Sequence, residues 1–387
     1  MTATAAASVE VAAPRALSRL LGLTWAHFLN DGAANYLPGV LPAVLLVLHE
    51  PLQLAGALTA ALSIGQGAQP LAGWLADRIG GRYLVAVGLL ASSVGGALLG
   101  QARQLWMLLA LLLLTGLGSA LFHPQALASV RRLSGAQPGI LTAAFLVGGE
   151  AGRGIWPTAA SLIYTQFGLR SLWIVAIPAL ITAPLLLRWA PPLVPKPRGA
   201  SIRWRRHARP LTLLLSYRGT RSLVMFGLVT FIPIMWHVRG GSLVSGASII
   251  TTLLLVGVIG SLGGGHLADR LGRRPVLVVS SVASAVLILP IAYAHGAWIW
   301  IDAAVLGVAL FLSASPTVLI GQDIFPENPA LGSGIAMGLS GGIGAVFVLA
   351  LGFLVTPSDV VTVFWVLAAV GLLTVLPALA FPQRLMS

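Results

Sequence analysis

Apolar residues run along this chain in long blocks, not in the one-sided stripes of a soluble helix. About 20 consecutive apolar residues cross the roughly 30 Å hydrocarbon core of a bilayer. Twelve blocks are long enough: 19–48, 54–76, 83–100, 105–130, 138–167, 172–189, 211–237, 243–267, 276–294, 298–321, 330–355 and 360–381. Each predicts a helix, because in lipid a segment must satisfy its own backbone hydrogen bonds. The predicted fold class is an all-α integral membrane protein with twelve transmembrane helices. The loops are short and leave no room for a soluble domain. Residues 1–18 are an Ala-rich tail without the basic flank, apolar run and cleavage site of a signal peptide.

The longest interruption, 190–210, is Pro-rich and then basic. It separates one six-span bundle, 19–189, from a second, 211–387. It reads as a cytoplasmic linker or as a segment that binds anionic lipid. The halves repeat each other. Gly73-Trp-Leu-Ala-Asp77-Arg-Ile-Gly80-Gly-Arg82 recurs 192 residues later as Gly265-His-Leu-Ala-Asp269-Arg-Leu-Gly272-Arg-Arg274. The same offset carries Pro124 onto Pro316. Parallel repeats with a midplane site between them are one transporter plan.

Composition sharpens this picture. Apolar residues make up 57% and charged residues 9%, against about 25% charged in a soluble domain. An ordinary soluble enzyme and a disordered chain are excluded. The net charge of +13 would suit nucleic acid, but the basic residues punctuate the loops and form no binding stripe. Seventeen fall in one alternating set of loops, three in the other and three within spans. Cytoplasmic loops hold the Lys/Arg excess, so both termini are expected on the cytoplasmic side of the cell membrane. With no Cys, disulfides and thiolate metal sites are absent.

The duplicated signature resembles that of the major facilitator superfamily, and the resemblance covers nearly the whole chain. More narrowly, the chain is similar to efflux transporters of the fosmidomycin-resistance type. The stretches that carry this are His27-Phe-Leu-Asn30-Asp31, Gln69-Pro70, Phe122-His123-Pro124, Val147-Gly148-Gly149 with Gly152, and Arg221-Ser222 with Phe231-Ile-Pro233. The resemblance implies two pseudo-symmetric six-helix bundles, with spans 1, 4, 7 and 10 lining a central cavity. It also implies a gating role for Asp77, Arg78, Arg82 and Arg131, and for Asp269, Arg270 and Arg273. These carboxylates could cap a neighbouring helix or pair with the arginines, Arg274 included; static loop structure is the alternative. The chain departs from this type at Glu150, where an amide is usual, and at Arg153, where a small residue is usual. Trp156-Pro157 stands for Gly-Pro, and Leu112 stands where many drug/proton antiporters carry Arg.

A charge inside a span costs from about 2.5 kcal/mol upward, so it is functional by default. His27 and Asp31 lie one turn apart, with Asn30 beside them. Glu150 and Arg153 share a face, as do Arg218 and Arg221, and His123 precedes Pro124. Asp31 lies eleven residues before Pro42 and Ser222 eleven before Pro233, so Arg221 stands near the repeat partner of Asp31. The candidates for proton coupling are Asp31, Glu150 and His27. Movement of Arg153 or Arg221 relative to Asp31 could load or release a proton. The candidates for substrate binding are Arg153, Arg221, Asn30, Gln66, Gln69, His123, Tyr36 and Trp236. The arginines match phosphonate and carboxylate geometry. The alternatives are packing hydrogen bonds for Asp31 and His123, a structural Glu150–Arg153 pair, and mere charge compensation by Arg221. Arg218 can snorkel to the surface, and Trp and Tyr serve equally as interface anchors.

The expected function is secondary active transport by alternating access: proton-coupled efflux of a small amphipathic or anionic compound. An organic-anion importer or exchanger is the alternative. A membrane enzyme is remote, since His27-x-x-x-Asp31 misses the acyltransferase spacing by one residue and no metal-ligand cluster appears. No cofactor or metal is expected, with the proton gradient as driving force. The expected partners are a small molecule, protons and the bilayer, with the chain a monomer.

Overall fold

The computed structural model describes residues 14–79, 82–133, 138–191, 204–326, 329–356 and 359–386. The chain is helical nearly throughout. Nine described stretches are long and apolar enough to cross a membrane: Arg82–Gln101 (α3), Leu105–Leu133 (α4), Leu169–Trp189 (α6), Trp204–Val238 (α7), Leu243–Leu271 (α8), Arg273–Tyr293 (α9), Trp298–Ile324 (α10), Leu331–Gly352 (α11) and Val361–Ala380 (α12). Three further stretches occupy the places of spans 1, 2 and 5. They are α1, Pro14–Asn35 continued by Leu37–Val47; α2, Leu54–Gln66 continued by Gln69–Ile79; and α5, Pro138–Phe167. A twelve-helix arrangement fits.

The breaks have local causes. Pro38 lacks an N–H, so α1 cannot run unbroken through Tyr36. The Asn35 amide donates instead to the Asp31 carbonyl at 2.8 Å. In α2 the break at 67–68 precedes Pro70. There Gly67 lets the chain pass so near α11 that an added Cβ would sit 3.5 Å from the Gly342 Cα. Directly opposite, α11 carries a π-helical turn, Ile335–Leu339. Helix α7 begins at Trp204, inside the stretch read as linker. The reason is tertiary: Trp204 and His207 pack against Phe325 of the second bundle, at ring separations of 5.8 and 4.8 Å. Residues 192–203 of the expected linker lie outside the described residues.

Packing differs between the two ends of the helical array. At the end away from the termini one continuous core draws on both halves. Val40, Leu41, Val44 and Leu58 meet Leu228, Phe231, Ile250 and Leu254 there. Threonine pairs tie the halves at the same level: Thr59 to Thr230 at 2.8 Å and Thr158 to Thr251 at 2.7 Å. At the terminal end the core divides. One cluster, around Leu23, Leu89, Phe122 and Ala183, belongs to the first half. Another, around Leu214, Tyr217, Leu277 and Phe325, belongs to the second. The seam between the halves is sealed at one end.

Candidate functional site

Four helices of the first half deliver polar side chains to one point. Helices α1 and α5 can approach because α5 presents glycines. A Cβ on Gly149 would strike the His27 ring, and one on Gly152 would strike the Phe28 carbonyl. That closeness places Asp31 of α1 beside Glu150 and Arg153 of α5. From α4 come Ser119 and His123, and from α3 comes Ser92.

Asp31 is 3% exposed. Its Oδ1 lies 3.0 Å from His123 Nε2 and accepts from Asn30 Nδ2, also at 3.0 Å. Its Oδ2 lies 3.5 Å from His27 Nε2 and 3.6 Å from Arg153 Nη2. Asn30 is held in turn. It donates to Ser119 Oγ at 3.2 Å and accepts from Ser92 Oγ at 2.7 Å. Arg153 spans two carboxylates, with Nη1 3.5 Å from Glu150 Oε1. About a third of Arg153 and slightly less of Glu150 stay exposed, while His123 is 18% exposed.

Backbone carbonyls orient both histidine rings. His27 Nδ1 lies 2.8 Å from the Phe145 carbonyl, and His123 Nδ1 lies 2.8 Å from the Ser119 carbonyl. A carbonyl only accepts, so Nδ1 carries the hydrogen in both rings. In neutral rings both Nε2 atoms then present lone pairs. They face each other at 3.2 Å and face the Asp31 oxygens. Lone pairs alone repel, so a proton between two of these atoms would join them. The same three residues are a group whose ligand atoms lie within 4.8 Å of one another, a spacing a small cation can span. All three stood among the candidates, but their meeting could not be read from spacing, because His123 arrives from a different helix. The shortest contact of the group, His123 Nε2 to Asp31 Oδ1 at 3.0 Å, is the one a single proton would bridge.

Arg221 stands elsewhere. It is 5% exposed and lies wholly within the second half. It donates to Ser284 Oγ at 2.5 Å, Ser280 Oγ at 3.0 Å and the Leu310 carbonyl at 2.5 Å. No ion pair joins it to Asp31 among the described residues. The buried guanidinium is satisfied by neutral groups of the second half, and the structure does not bring it together with Arg153. Tyr36 is fully buried and its hydroxyl donates to the Gly96 carbonyl at 2.5 Å. Trp236 donates to Ser245 at 2.6 Å and packs edge-on against Trp300, far along α7 from the cluster. Gln66 and Gln69 are half-buried where α2 meets α11, Gln69 beside Gly338.

Three contributors were missed. Ser92 and Ser119 are ordinary small polar residues with no sequence signal of their own. Trp156 had one: it stands where the resemblance expects Gly. Its indole lies over Gly32, next to Asp31, where a Cβ could not fit.

The gating segments are only partly described. The side chains of Asp77 and Arg78 lie outside the described residues; Arg82 is half-buried and Arg131 exposed. In the second copy Asp269 and Arg270 are exposed. Asp269 caps no helix and pairs with no arginine among the described residues. Arg273 turns instead to Asp323 of α10 at 2.5 Å and to the Leu385 carbonyl at 3.1 Å, while Arg274 reaches the Phe381 carbonyl at 2.6 Å. Gly272 explains this. Its φ of +84° suits glycine and starts α9 at once, aiming Arg273 away from Asp269.

Known proteins resemble this chain over most of its length. The MFS-type transporter YfnC of Bacillus subtilis (strain 168), itself described as uncharacterized, is 29% identical over 377 residues, 92% of this chain and 90% of that protein. The fosmidomycin resistance protein of Escherichia coli (strain K12) is 23% identical over 393 residues, 96% and 95% of the two chains. The multidrug resistance protein MdtG of Serratia proteamaculans (strain 568) is 26% identical over 312 residues, 72% and 73%. Among solved structures, the nucleoside transporter NupG superposes with a TM-score of 0.76 at 16% identity, covering 94% of this chain and 99% of that one. A bacterial homolog of the lysosomal transporter Spinster, inward-facing and unoccupied, gives 0.71 at 17% identity, covering 95% of each. At these identities the structures speak for the fold alone. The model of the Major Facilitator Superfamily matches residues 23–349. With its helical array, its duplicated signature and this match, the chain belongs to the Major Facilitator Superfamily and is a multi-pass membrane transporter.

Proposed function

We propose that the protein exports a small amphipathic or anionic compound across the cell membrane, in exchange for protons, by alternating access. The observation that carries the coupling is the trio of Asp31, His27 and His123, where a proton between two facing atoms would join them. Both rings are pinned through Nδ1 to backbone carbonyls, so the exchangeable proton is confined to the Nε2 atoms and Asp31. Arg153 connects this buried store to the seam. It touches Asp31 on one side and Glu150 on the other, and it is partly exposed. A conformational change that moves Arg153 alters the charge facing Asp31, and so its hold on a proton.

The direction of export rests on the names of the relatives from Escherichia coli and Serratia. The arginine-bearing seam equally suits an importer or exchanger of organic anions, the second reading. Both termini are placed in the cytoplasm on the loop charge pattern. The sealed end is then the outer one, and Arg153 and Glu150 are reached from inside. The chain works as a monomer, its partners being substrate, protons and lipid.

The test is exchange driven by a pH gradient in proteoliposomes. Asp31→Asn is expected to abolish gradient-driven flux in a protein that still folds. Undiminished flux would remove Asp31 from the coupling role.

A further inference from the structure

The trio of His27, Asp31 and His123 has a second property: its donors converge on one point. His27 Nε2 and His123 Nε2 lie 3.2 Å apart. The Asp31 carboxylate stands 3.0 Å from His123 Nε2 and 3.5 Å from His27 Nε2, through one oxygen each. Zinc binds imidazole nitrogen and carboxylate oxygen at about 2.0–2.2 Å. Ligands at the corners of such a tetrahedron stand about 3.3–3.6 Å from one another. The trio needs only small shifts to meet that spacing.

The rings are also held as metal ligands are held. A metal-binding His donates its second ring N–H to a carbonyl or carboxylate, which fixes the tautomer and aims the free nitrogen. Both rings do this. His27 Nδ1 donates to the Phe145 carbonyl and His123 Nδ1 to the Ser119 carbonyl, each at 2.8 Å. Stacking on Phe145 at a ring separation of 4.1 Å and the close passage of Gly149 fix His27 further. Asp31 has its own support in Asn30, which Ser92 and Ser119 hold in turn.

Charge and access fit as well. Arg153 lies 3.6 Å from Asp31 Oδ2, and Glu150 at 3.5 Å balances its charge. With neutral rings, the trio then offers one net negative charge to a cation. His123 is 18% exposed and Arg153 about a third, so the cluster opens on their side. Two imidazoles and one carboxylate favour a borderline transition-metal ion. Magnesium and calcium take oxygen ligands instead.

We propose that His27, Asp31 and His123 form a binding site for one divalent transition-metal ion of the zinc class. The two Nε2 atoms and one Asp31 oxygen are its ligands, and three protein ligands leave a fourth position for water. The ion ties α1 to α4. It takes the same atoms that a proton would join, so metal and proton exclude each other at the trio. Binding rests on the geometry alone; its effect on flux rests on the transport reading above.

The test is calorimetric titration of purified, untagged full-length protein in detergent with zinc chloride. One ion per chain is expected to bind. His27→Gln, His123→Gln and Asp31→Asn are each expected to weaken binding by about a hundredfold, the upper end of what loss of a mere outer support costs. Gly149→Ala, which displaces the His27 ring, is expected to cost about tenfold. His295→Gln, on an exposed loop, is expected to leave binding unchanged. Melting curves show which variants fold. If the buried His27 variant does not, the partly exposed His123 carries the test. Cobalt(II) in place of zinc is expected to give the intense visible absorption of a four-coordinate ion; the weak absorption of the hydrated ion would overturn the site. So would absence of saturable zinc binding by the unmodified protein, or wild-type affinity in folded His123→Gln. In proteoliposomes zinc is expected to halt pH-driven exchange. Zinc bound with exchange undiminished would leave the metal site standing and take the trio out of coupling.

Discussion

Asp31 in the first half and Arg221 in the second stand at nearly equivalent places in the two repeats. Their supports correspond as well: Ser92 of α3 sits 192 residues before Ser284 of α9. Ser92 serves the Asp31 cluster through Asn30, and Ser284 binds Arg221 directly. Beyond this the two sites part. Around Arg221 every hydrogen-bond partner is neutral, and among the described residues no second ionisable group is bonded to it. Around Asp31 stand two imidazoles and an arginine, and that arginine opens to the seam. A buried charge satisfied by neutral dipoles has one arrangement and stays in it. A carboxylate shared among titratable groups has several of similar energy. The duplication supplied one polar position twice, and only one copy acquired neighbours that can exchange a proton.

The largest effect that would sharpen this contrast is expected from paired substitutions. Asp31→Asn should eliminate pH-driven exchange with little change in thermal stability. Arg221→Ala should do the reverse in kind, because removing the guanidinium strands a set of buried acceptors. Its melting temperature in detergent should fall by an amount matching about 1–3 kcal/mol for each acceptor left unsatisfied. An Arg221→Ala protein of unchanged stability but altered ligand preference would return Arg221 to the binding site.

Next in size is Gly149→Ala. The new methyl would displace the His27 ring, at a cost of about 1–3 kcal/mol for overpacking. Proton-coupled flux should fall more than stability does. The alanine exchange at Gly341, which has no neighbour near its missing Cβ, should be silent in both measurements.

Ser284→Ala and Ser92→Ala probe the supports themselves. Each leaves a buried polar partner short of one bond, worth about 1–3 kcal/mol. The loss in Ser284→Ala should appear only as a lower melting temperature. Ser92→Ala should in addition change the pH profile of transport, since Asn30 would be free to leave Asp31. Identical pH profiles in the two variants would erase the distinction drawn between the halves.

The smallest effect is expected at the seal. Thr59→Val removes the hydrogen bond to Thr230 that ties the halves at the closed end. With about 0.5–1.5 kcal/mol at stake, the balance between conformations should shift by a few-fold. Accessibility to a thiol reagent of a cysteine introduced at Ala55, buried in the same core, would measure it.

Much of the fold was legible along the chain. Block length, loop charge and the ten-residue repeat describe solvent and symmetry, and these act on each segment separately. Even the short list of intramembrane charges came from composition, because lipid makes such residues rare. Their pairing was not legible. Arg221 and Arg218 share a helix, and nothing in the sequence says which of them meets serines and which meets the π-helical turn of α11. The partner of Arg273 was hidden in the same way, decided by the turn at Gly272 and the position of Asp323.

The sequence by itself therefore determined that this chain spans a bilayer as two related bundles, and which few ionisable groups it carries inside. A bilayer imposes that result on any chain of this pattern, through backbone satisfaction and the cost of charge. Only the tertiary structure decided that His27, Asp31 and His123 meet at one point, that Arg153 reaches Asp31 and Glu150 together, and that Arg221 is closed off among neutral groups. Those outcomes depend on contacts of about 3 Å between different helices. Such contacts are set by where glycines let backbones approach and by which carbonyls orient each ring, and no spacing along the chain encodes them.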